Sequence, residues 1–276
     1  MLRSTLNYFP SDGKALVVAM DHGMIGAPVG FKNPKNTLLK VLKGEPDGIL
    51  ITPNFARNFK SEISKKTNIK INIRVDFMAT STIPGLEGEE EIQLQFSDVE
   101  EYLEIGADAI VTLLIFGRKN PEVIKDNIKY IATLSKITHH YHIPLVVEVP
   151  FWGKVCPKES QERSKFLEDA CRIAFEIGAD IIKAPYLQDR RAFKDLTSNL
   201  PIPILILGGE KMNTNEEILV TVKNSLEDGG RGIYFGRNIW QNEDPVLMIK
   251  TLYKIIHEES SIKEVLKDIK NEKYLK

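Results

Sequence analysis

Cysteine is scarce: Cys156 and Cys171 are the only two in 276 residues. They lack the close spacing of a metal site, and two thiols do not make a disulfide framework, so a reducing compartment is expected. Charge of one sign is missing as well. A net charge of -1 excludes the basic surplus that nucleic acid or an anionic membrane would select. No apolar run nears the roughly 20 residues of a membrane-spanning helix. Met1 to Pro10 has neither the basic start nor the apolar stretch of a secretory signal. The expectation is a cytoplasmic chain with no nucleic-acid partner and no membrane. Histidine gives no zinc pattern. Only His139-His140-Tyr141-His142 is clustered, at a helix end expected to face solvent. No metal and no separate cofactor are expected.

What is present is alternation between short apolar runs and helical stretches. The apolar runs are Ala15–Met20, Gly48–Thr52, Ile71–Asp76, Ala109–Ile115, Leu145–Val149, Ile181–Lys183, Pro203–Leu207 and Gly232–Phe235. Helical spacing falls at 36–43, 55–65, 98–106, 121–139, 159–177, 189–196, 214–228 and 245–258. One junction repeats: Glu104-Ile105-Gly106-Ala107-Asp108 returns as Glu176-Ile177-Gly178-Ala179-Asp180. Looser copies stand at Gly44-Glu45-Pro46-Asp47 and Glu227-Asp228-Gly229-Gly230. In each the glycine is read as a helix stop before a strand. Strict alternation implies a parallel sheet, and eight units imply closure. The expectation is one domain over 1–276, a (β/α)8 TIM barrel with a helical tail over 258–276. A doubly wound open sheet is the alternative, and it leaves the eighth unit unused. Residues 77–97 read as an irregular loop, and their acidic run Glu87 to Glu91 as solvated surface or a lid.

In such a barrel the site lies at the C-terminal strand ends. Lys183 ends the sixth run. A buried ammonium is costly unless paired or neutralised, and a neutral lysine amine forms Schiff bases with carbonyls. Gly208-Gly209 and Gly236-Arg237-Asn238 end the last two strands, where phosphate sites are frequent. Glycine admits close approach of an anion and arginine adds a charged donor. A lysine beside a phosphate cradle points to C–C cleavage of a phosphorylated ketone through an iminium. That chemistry also needs an acid/base, for which Asp21 and Glu148 are the candidates, with His22 third. Asp76, at the end of the third strand, belongs to the same set of polar residues at the strand ends.

These residues also carry a resemblance. Met20-Asp21-His22-Gly23, Ile181-Ile182-Lys183, Gly208-Gly209 and Gly236-Arg237-Asn238-Ile239-Trp240-Gln241 resemble the archaeal-type class I fructose-bisphosphate aldolases. The relatives of that family include the 2-amino-3,7-dideoxyheptulosonate synthases and the autoinducer-2 phosphate thiolase. The resemblance covers nearly the whole chain. It implies Lys183 as the Schiff-base lysine, Asp21 as an active-site acid, and Gly208, Gly209, Gly236 and Arg237 as the phosphate cradle. It further implies a sugar-phosphate substrate, no cofactor, and a homo-oligomer of up to ten copies. One motif departs. The aldolases carry Tyr-Pro-Arg-Gly after the fifth strand, whereas this chain reads Glu148-Val149-Pro150-Phe151-Trp152-Gly153. Tagatose-bisphosphate-type aldolases, which the chain resembles more distantly, use a glutamate on that strand. Glu148 would then replace the tyrosine, Trp152 would wall the pocket, and Lys154 would hold a second phosphate. Acyl transfer to coenzyme A and a non-catalytic sugar-phosphate-binding role are the alternatives that the missing tyrosine leaves.

Overall fold

A computed structural model describes residues 5, 7–79, 92–95, 98–187 and 189–267. Eight parallel strands close into a barrel: β1 (Ala15–Ala19), β2 (Gly48–Ile51), β3 (Lys70–Arg74), β6 (Ala109–Leu113), β7 (Leu145–Glu148), β8 (Ile181–Pro185), β9 (Ile204–Leu207) and β10 (Gly232–Phe235). Each pairs with its neighbours in the chain's own strand order, and β1 closes against β10 in register Val17 to Tyr234. The (β/α)8 barrel is therefore present.

The period of two along each strand sorts side chains into two cores. Ala15, Val17 and Ala19 point inward with Leu50, Val111, Val146, Ile181, Leu205 and Tyr234. Leu16 and Val18 point outward, where Leu38, Leu134, Leu167, Phe193, Leu219 and Leu252 of the surrounding helices cover them. The largest helices are α1 (Pro34–Gly44), α5 (Pro121–His140), α6 (Ser160–Glu176), α7 (Arg190–Asn199), α8 (Asn215–Glu227) and α10 (Pro245–His257). Side-chain caps start several of them: Asn33, Asn120, Asp189, Thr214 and Asp244 each accept a backbone N–H of the first turn.

The repeated junction has a structural meaning. Asp180 Oδ2 accepts the Leu145 N–H at 2.9 Å, and Asp108 Oδ2 accepts the Ile71 N–H at 2.8 Å. Asp47 Oδ2 accepts the Leu16 N–H at 2.6 Å. The aspartate thus ties the start of its own strand to that of the neighbouring one. Gly178 stands at φ 106°, a left-handed conformation that favours glycine, so its reading as a helix stop holds. The copy at Gly44 is a correction. There Glu45 takes the left-handed position at φ 59°, and Gly44 is needed because a Cβ would stand 2.6 Å from Ile249 of α10.

Three further expectations change. The third run ends as barrel at Arg74. Asp76 opens β4 (Asp76–Ala79), which pairs antiparallel with β5 (Ile92–Gln95) outside the barrel. Residues 77–97 therefore hold strands and not only loop. The alternation Ile92-Gln93-Leu94-Gln95 is the strand signal there. The acidic run Glu87 to Glu91 lies outside the described residues. The helix expected over 55–65 is two short ones, α2 (Pro53–Asn58) and α3 (Lys60–Ile63), because Phe59 leaves helical geometry at φ -114°, ψ 21°. Gly236, at the end of β10, is the N-cap of the four-residue helix α9 (Arg237–Trp240). The C-terminal tail is helical over 262–267, and its remainder lies outside the described residues.

At the closed end of the barrel, His257 of α10 is held by two carboxylates. Its Nδ1 lies 2.9 Å from Asp12 Oδ2 and its Nε2 2.9 Å from Asp47 Oδ2. Burial alone would push the imidazole pKa down, but Asp47 and Asp12 raise it above the ordinary value. A raised histidine pKa stabilises the fold fully below the unfolded-state value of about 6.5, and the contribution is lost as pH rises through the folded-state value. Thermal melts should therefore show stability falling from pH 6 to pH 9. The variant His257→Gln should be less stable at pH 6 by about 1.5–3 kcal/mol, the range for hydrogen bonds to charged groups, with a flatter pH dependence. An unchanged pH slope in that variant would refute the clamp.

Candidate active site

Inward positions near the C-terminal ends of β3, β7 and β8 are occupied by Arg74, Glu148 and Lys183. The register pairs Glu148 directly with Lys183 across β7 and β8. Lys183 Nζ donates to Glu148 Oε2 at 2.8 Å, and both side chains are buried. Arg74 lies between the carboxylates. Its Nε donates to Asp21 Oδ2 at 2.9 Å, Nη1 reaches Asp76 Oδ1 at 3.4 Å, and Nη2 donates to Glu148 Oε2. Asp76 Oδ2 is further held by the Thr112 hydroxyl at 2.8 Å and the Leu113 N–H at 2.6 Å. The barrel mouth therefore holds three carboxylates and two cations in one connected network.

Burial alone would raise the Asp21 carboxyl, but Arg74, then the His22 contact and Lys183, hold it far below the usual range. Glu148 is raised by burial and lowered further by Lys183 and Arg74, so its net direction is down. Burial opposes the Arg74 charge, and Glu148, Asp21 and Asp76 together more than offset it. Both expected carboxylates are thus ionised at neutral pH. Beneath them Tyr234 turns its ring to Lys183, with Nζ 5.6 Å from the centroid. Its hydroxyl bonds Asn72 Oδ1 at 2.8 Å and meets Tyr8. This layer fills the barrel below the lysine.

A cavity of about 580 Å³ opens above Lys183. One side is made by Gly208, Gly209, Gly236 and Arg237, the expected cradle. Open space surrounds the position where a Cβ of Gly209 would lie, and that residue is left-handed at φ 61°. Arg237 Nη2 donates to Gly209 O at 2.7 Å, and Asn238 Nδ2 donates to Gly208 O at 2.9 Å, so the α9 residues shape the glycine loop. Arg237 Nε is buried without a partner. His22 lines the same side. Its ring stands edge-on to Trp240 at 5.3 Å and its Nδ1 is 3.4 Å from Asp21 Oδ1. A Cβ on Gly236 would come within 2.5 Å of His22 Cε1.

The other side is walled by Pro150, Phe151, Trp152 and Arg163. Trp152 stands where it was expected. Lys154 does not. It is exposed and is not among the cavity's lining residues. The reason is a close crossing of two loops: a Cβ on Gly153 would lie 2.0 Å from Gly117 O, and Val155 N donates to Gly117 O at 3.0 Å. That crossing turns the chain away after Trp152. The cation that reaches this wall is Arg163 of α6, its guanidinium carbon 4.0 Å from the Phe151 ring centroid. Among the described residues no three His, Cys, Asp or Glu side chains gather as a metal site requires.

Sequence reasoning missed Arg74 and Arg163. Arg74 was legible, because Asn72, Arg74 and Asp76 alternate with Ile71, Ile73 and Val75 and so share the inward face. A buried strand arginine calls for the argument applied to Lys183. Arg163 sits in a polar helical turn, Gln161-Glu162-Arg163, that looks like ordinary solvated surface.

Residues 15–242 match the family model described as DeoC/LacD family aldolase. An uncharacterised aldolase of Saccharolobus solfataricus is 34% identical over 259 residues, covering 94% of this chain and 95% of that one. The 2-amino-3,7-dideoxy-D-threo-hept-6-ulosonate synthase 1 of Archaeoglobus fulgidus is 25% identical over 96% of this chain and 94% of its own length. A Schiff-base-forming fructose-1,6-bisphosphate aldolase, solved for its reaction intermediates, superposes with TM-score 0.77 at 27% identity, over 92% of this chain and 98% of that one.

The charge network yields a prediction. Arg74→Met leaves Asp21, Asp76 and Glu148 without their shared cation, and breaking a buried pair costs about 3–5 kcal/mol. Urea unfolding should show that loss, and adding Glu148→Gln to Arg74→Met should recover part of it. A loss below 1 kcal/mol on the order of surface pairs would mean that Arg74 does not hold the mouth together.

Proposed function

Because the chain belongs to the DeoC/LacD family of aldolases, we propose that it is a class I, metal-independent aldolase that cleaves a phosphorylated ketose reversibly. The observation that carries the reading is the buried contact of 2.8 Å between Lys183 Nζ and Glu148 Oε2 at the floor of a cavity with a glycine-lined side. Glu148 takes the ammonium proton, and the freed Lys183 amine attacks the ketone carbon. The carbinolamine loses its hydroxyl as water, with the proton returned by Glu148, and leaves an iminium. Asp21 and Arg74 stay charged. Asp21, kept ionised chiefly by Arg74, places a negative charge near the nitrogen that is positive in the iminium. Glu148, a carboxylate again after that step, then takes the proton of the hydroxyl on the bond to be broken. The electron pair of that C–C bond flows into the iminium, an aldehyde leaves, and an enamine remains. Protonation and hydrolysis release the ketone phosphate and the lysine.

The glutamate can hold the role that a tyrosine holds in the resembled aldolases, since it touches the nitrogen that becomes the reacting centre. The phosphate rests against Gly208, Gly209, Gly236 and Arg237, with His22 and Trp152 closing the sides. The same reading makes the protein a homo-oligomeric, cytoplasmic enzyme of sugar-phosphate metabolism.

Incubation with dihydroxyacetone phosphate, reduction by borohydride and peptide mass spectrometry test it. An adduct is expected on Lys183. Lys183→Ala should lose both adduct and turnover while its melting profile stays cooperative. Glu148→Gln should slow adduct formation by about 100-fold or more, the range for a general acid/base. Wild-type protein that binds the phosphate but forms no adduct would refute the Schiff-base reading in favour of a binding role.

A further inference from the structure

Among the buried residues described in the inner core, Tyr8 alone is supplied by no strand. It comes from the segment before β1, at the closed end of the barrel, where Asp12 meets His257. Two turns shape that segment: the Tyr8 N–H donates to Thr5 O at 3.2 Å, and the Gly13 N–H donates to Pro10 O at 2.9 Å. Barrel interiors are ordinarily filled by the strands themselves. Here β1 and β6 give the interior the small residues Ala15, Ala19 and Ala109, and Tyr8 is buried with them. Phe9 follows and stands edge-on to its ring at 5.0 Å.

Tyr8 reaches the layer beneath Lys183. Its hydroxyl donates to Asn72 Oδ1 at 2.7 Å and meets the Tyr234 hydroxyl. Tyr234 bonds the same Asn72 oxygen at 2.8 Å. Asn72 Nδ2 donates to Ile49 O at 3.1 Å, so Oδ1 is the atom turned to the two phenols. Two hydroxyl hydrogens thus serve three oxygens, and Tyr234 is held by Tyr8 and Asn72 jointly. Burial pushes both phenols above their ordinary range, so both keep their protons. Tyr234 also belongs to the site. It lines the cavity, and its ring centroid is 5.6 Å from Lys183 Nζ, within reach of an ammonium–ring attraction. Tyr8 does not line the cavity. It can act on the lysine only through Tyr234.

We propose that Tyr8 is a positioning residue for Lys183: it fixes the Tyr234 ring beneath the lysine, so that a segment outside the barrel strands sets the reactivity of the amine without touching substrate. Its consequence for imine formation rests on the aldolase reading, whereas its consequence for the bare lysine does not.

Two measurements on the full chain test it. The first is trace labelling with acetic anhydride, which acylates unprotonated amines, read as Lys183 modification relative to exposed lysines of the same molecule. Tyr8→Phe keeps the packing ring and removes the hydroxyl. Labelling of Lys183 should rise about two- to fivefold, the size of one lost cation–π contact. The second is borohydride trapping with dihydroxyacetone phosphate. The maximal rate of adduct formation should fall about 10-fold, since misplacing a reacting group costs up to about 100-fold, while the half-saturating concentration stays unchanged. Tyr234→Phe should reproduce both effects, and the double variant should go no further than either single one, as for residues acting through one contact. Asp12→Asn, in the same segment, removes a partner of His257. It should lower the melting temperature and leave both readouts unchanged. Unaltered Lys183 labelling in Tyr8→Phe, a loss confined to the half-saturating concentration, additive effects in the double variant, or equal changes in Asp12→Asn would overturn the proposal. Labelling needs no substrate, so a wild type that labels as expected but traps no adduct would count against the aldolase reading alone.

Discussion

The site depends on a single buried cation, Arg74. Three acidic groups converge at the barrel mouth from β7, from β4 and from the turn after β1. Three carboxyl groups cannot all carry charge in a water-poor space without a counter-charge. Lysine alone would supply one contact. The guanidinium supplies several in a plane and joins Asp21, Asp76 and Glu148 at once. A structural consequence follows for Lys183. Glu148 is held on one side by Arg74, so it meets Lys183 from a fixed direction and as a carboxylate that is ionised at rest. Removal of Arg74 would change the ground state of Lys183 without touching it.

This dependence also explains where the strand pattern breaks. Asp76 follows Arg74 by two residues, on the same side of the strand. In a plain barrel strand it would continue inward. It instead receives the Leu113 N–H and the Thr112 hydroxyl, while the chain leaves the barrel to pair β4 with β5. The excursion begins at the residue that completes the charge network. Barrel closure and site formation are thus decided within a few residues of β3.

The barrel was readable in the sequence because its signal is cumulative. Eight apolar runs, repeated Gly-Ala-Asp junctions and helix caps each agree with the same architecture, and errors at single boundaries do not add. That Lys183, Glu148, Gly208, Gly209 and Gly236 gather around one cavity was readable because the C-terminal strand ends of a barrel meet at one face. The misses have different physics. Arg74 was overlooked as one member of an alternating strand, although its inward parity followed from the same period that placed Asp76. Arg163 was invisible, since a polar residue in the first turn of an outer helix carries no mark of reaching across a rim. Lys154 was misplaced because linear proximity to Trp152 says nothing of the loop crossing at Gly117 and Gly153, where the backbones meet too closely for a side chain.

In the proposed reading, a glutamate in the tyrosine's place would change more than one group. A tyrosine above the lysine is neutral and can stand in an apolar mouth. A carboxylate at Glu148 cannot, unless something offsets the cost of taking it out of water. Arg74 is that offset, and Arg74 in turn needs Asp21 and Asp76 to remain charged without strain in the rest of the core. Glutamate, arginine and the two aspartates are therefore one substitution in energetic terms, since none of the four is tolerable alone. Glu148 thus comes with its own buried support. A charged mouth of this kind favours transition states in which positive charge rests on the lysine nitrogen, as in an iminium, and disfavours those that build negative charge beside Glu148. In the proposed reaction that preference comes from the floor of the cavity.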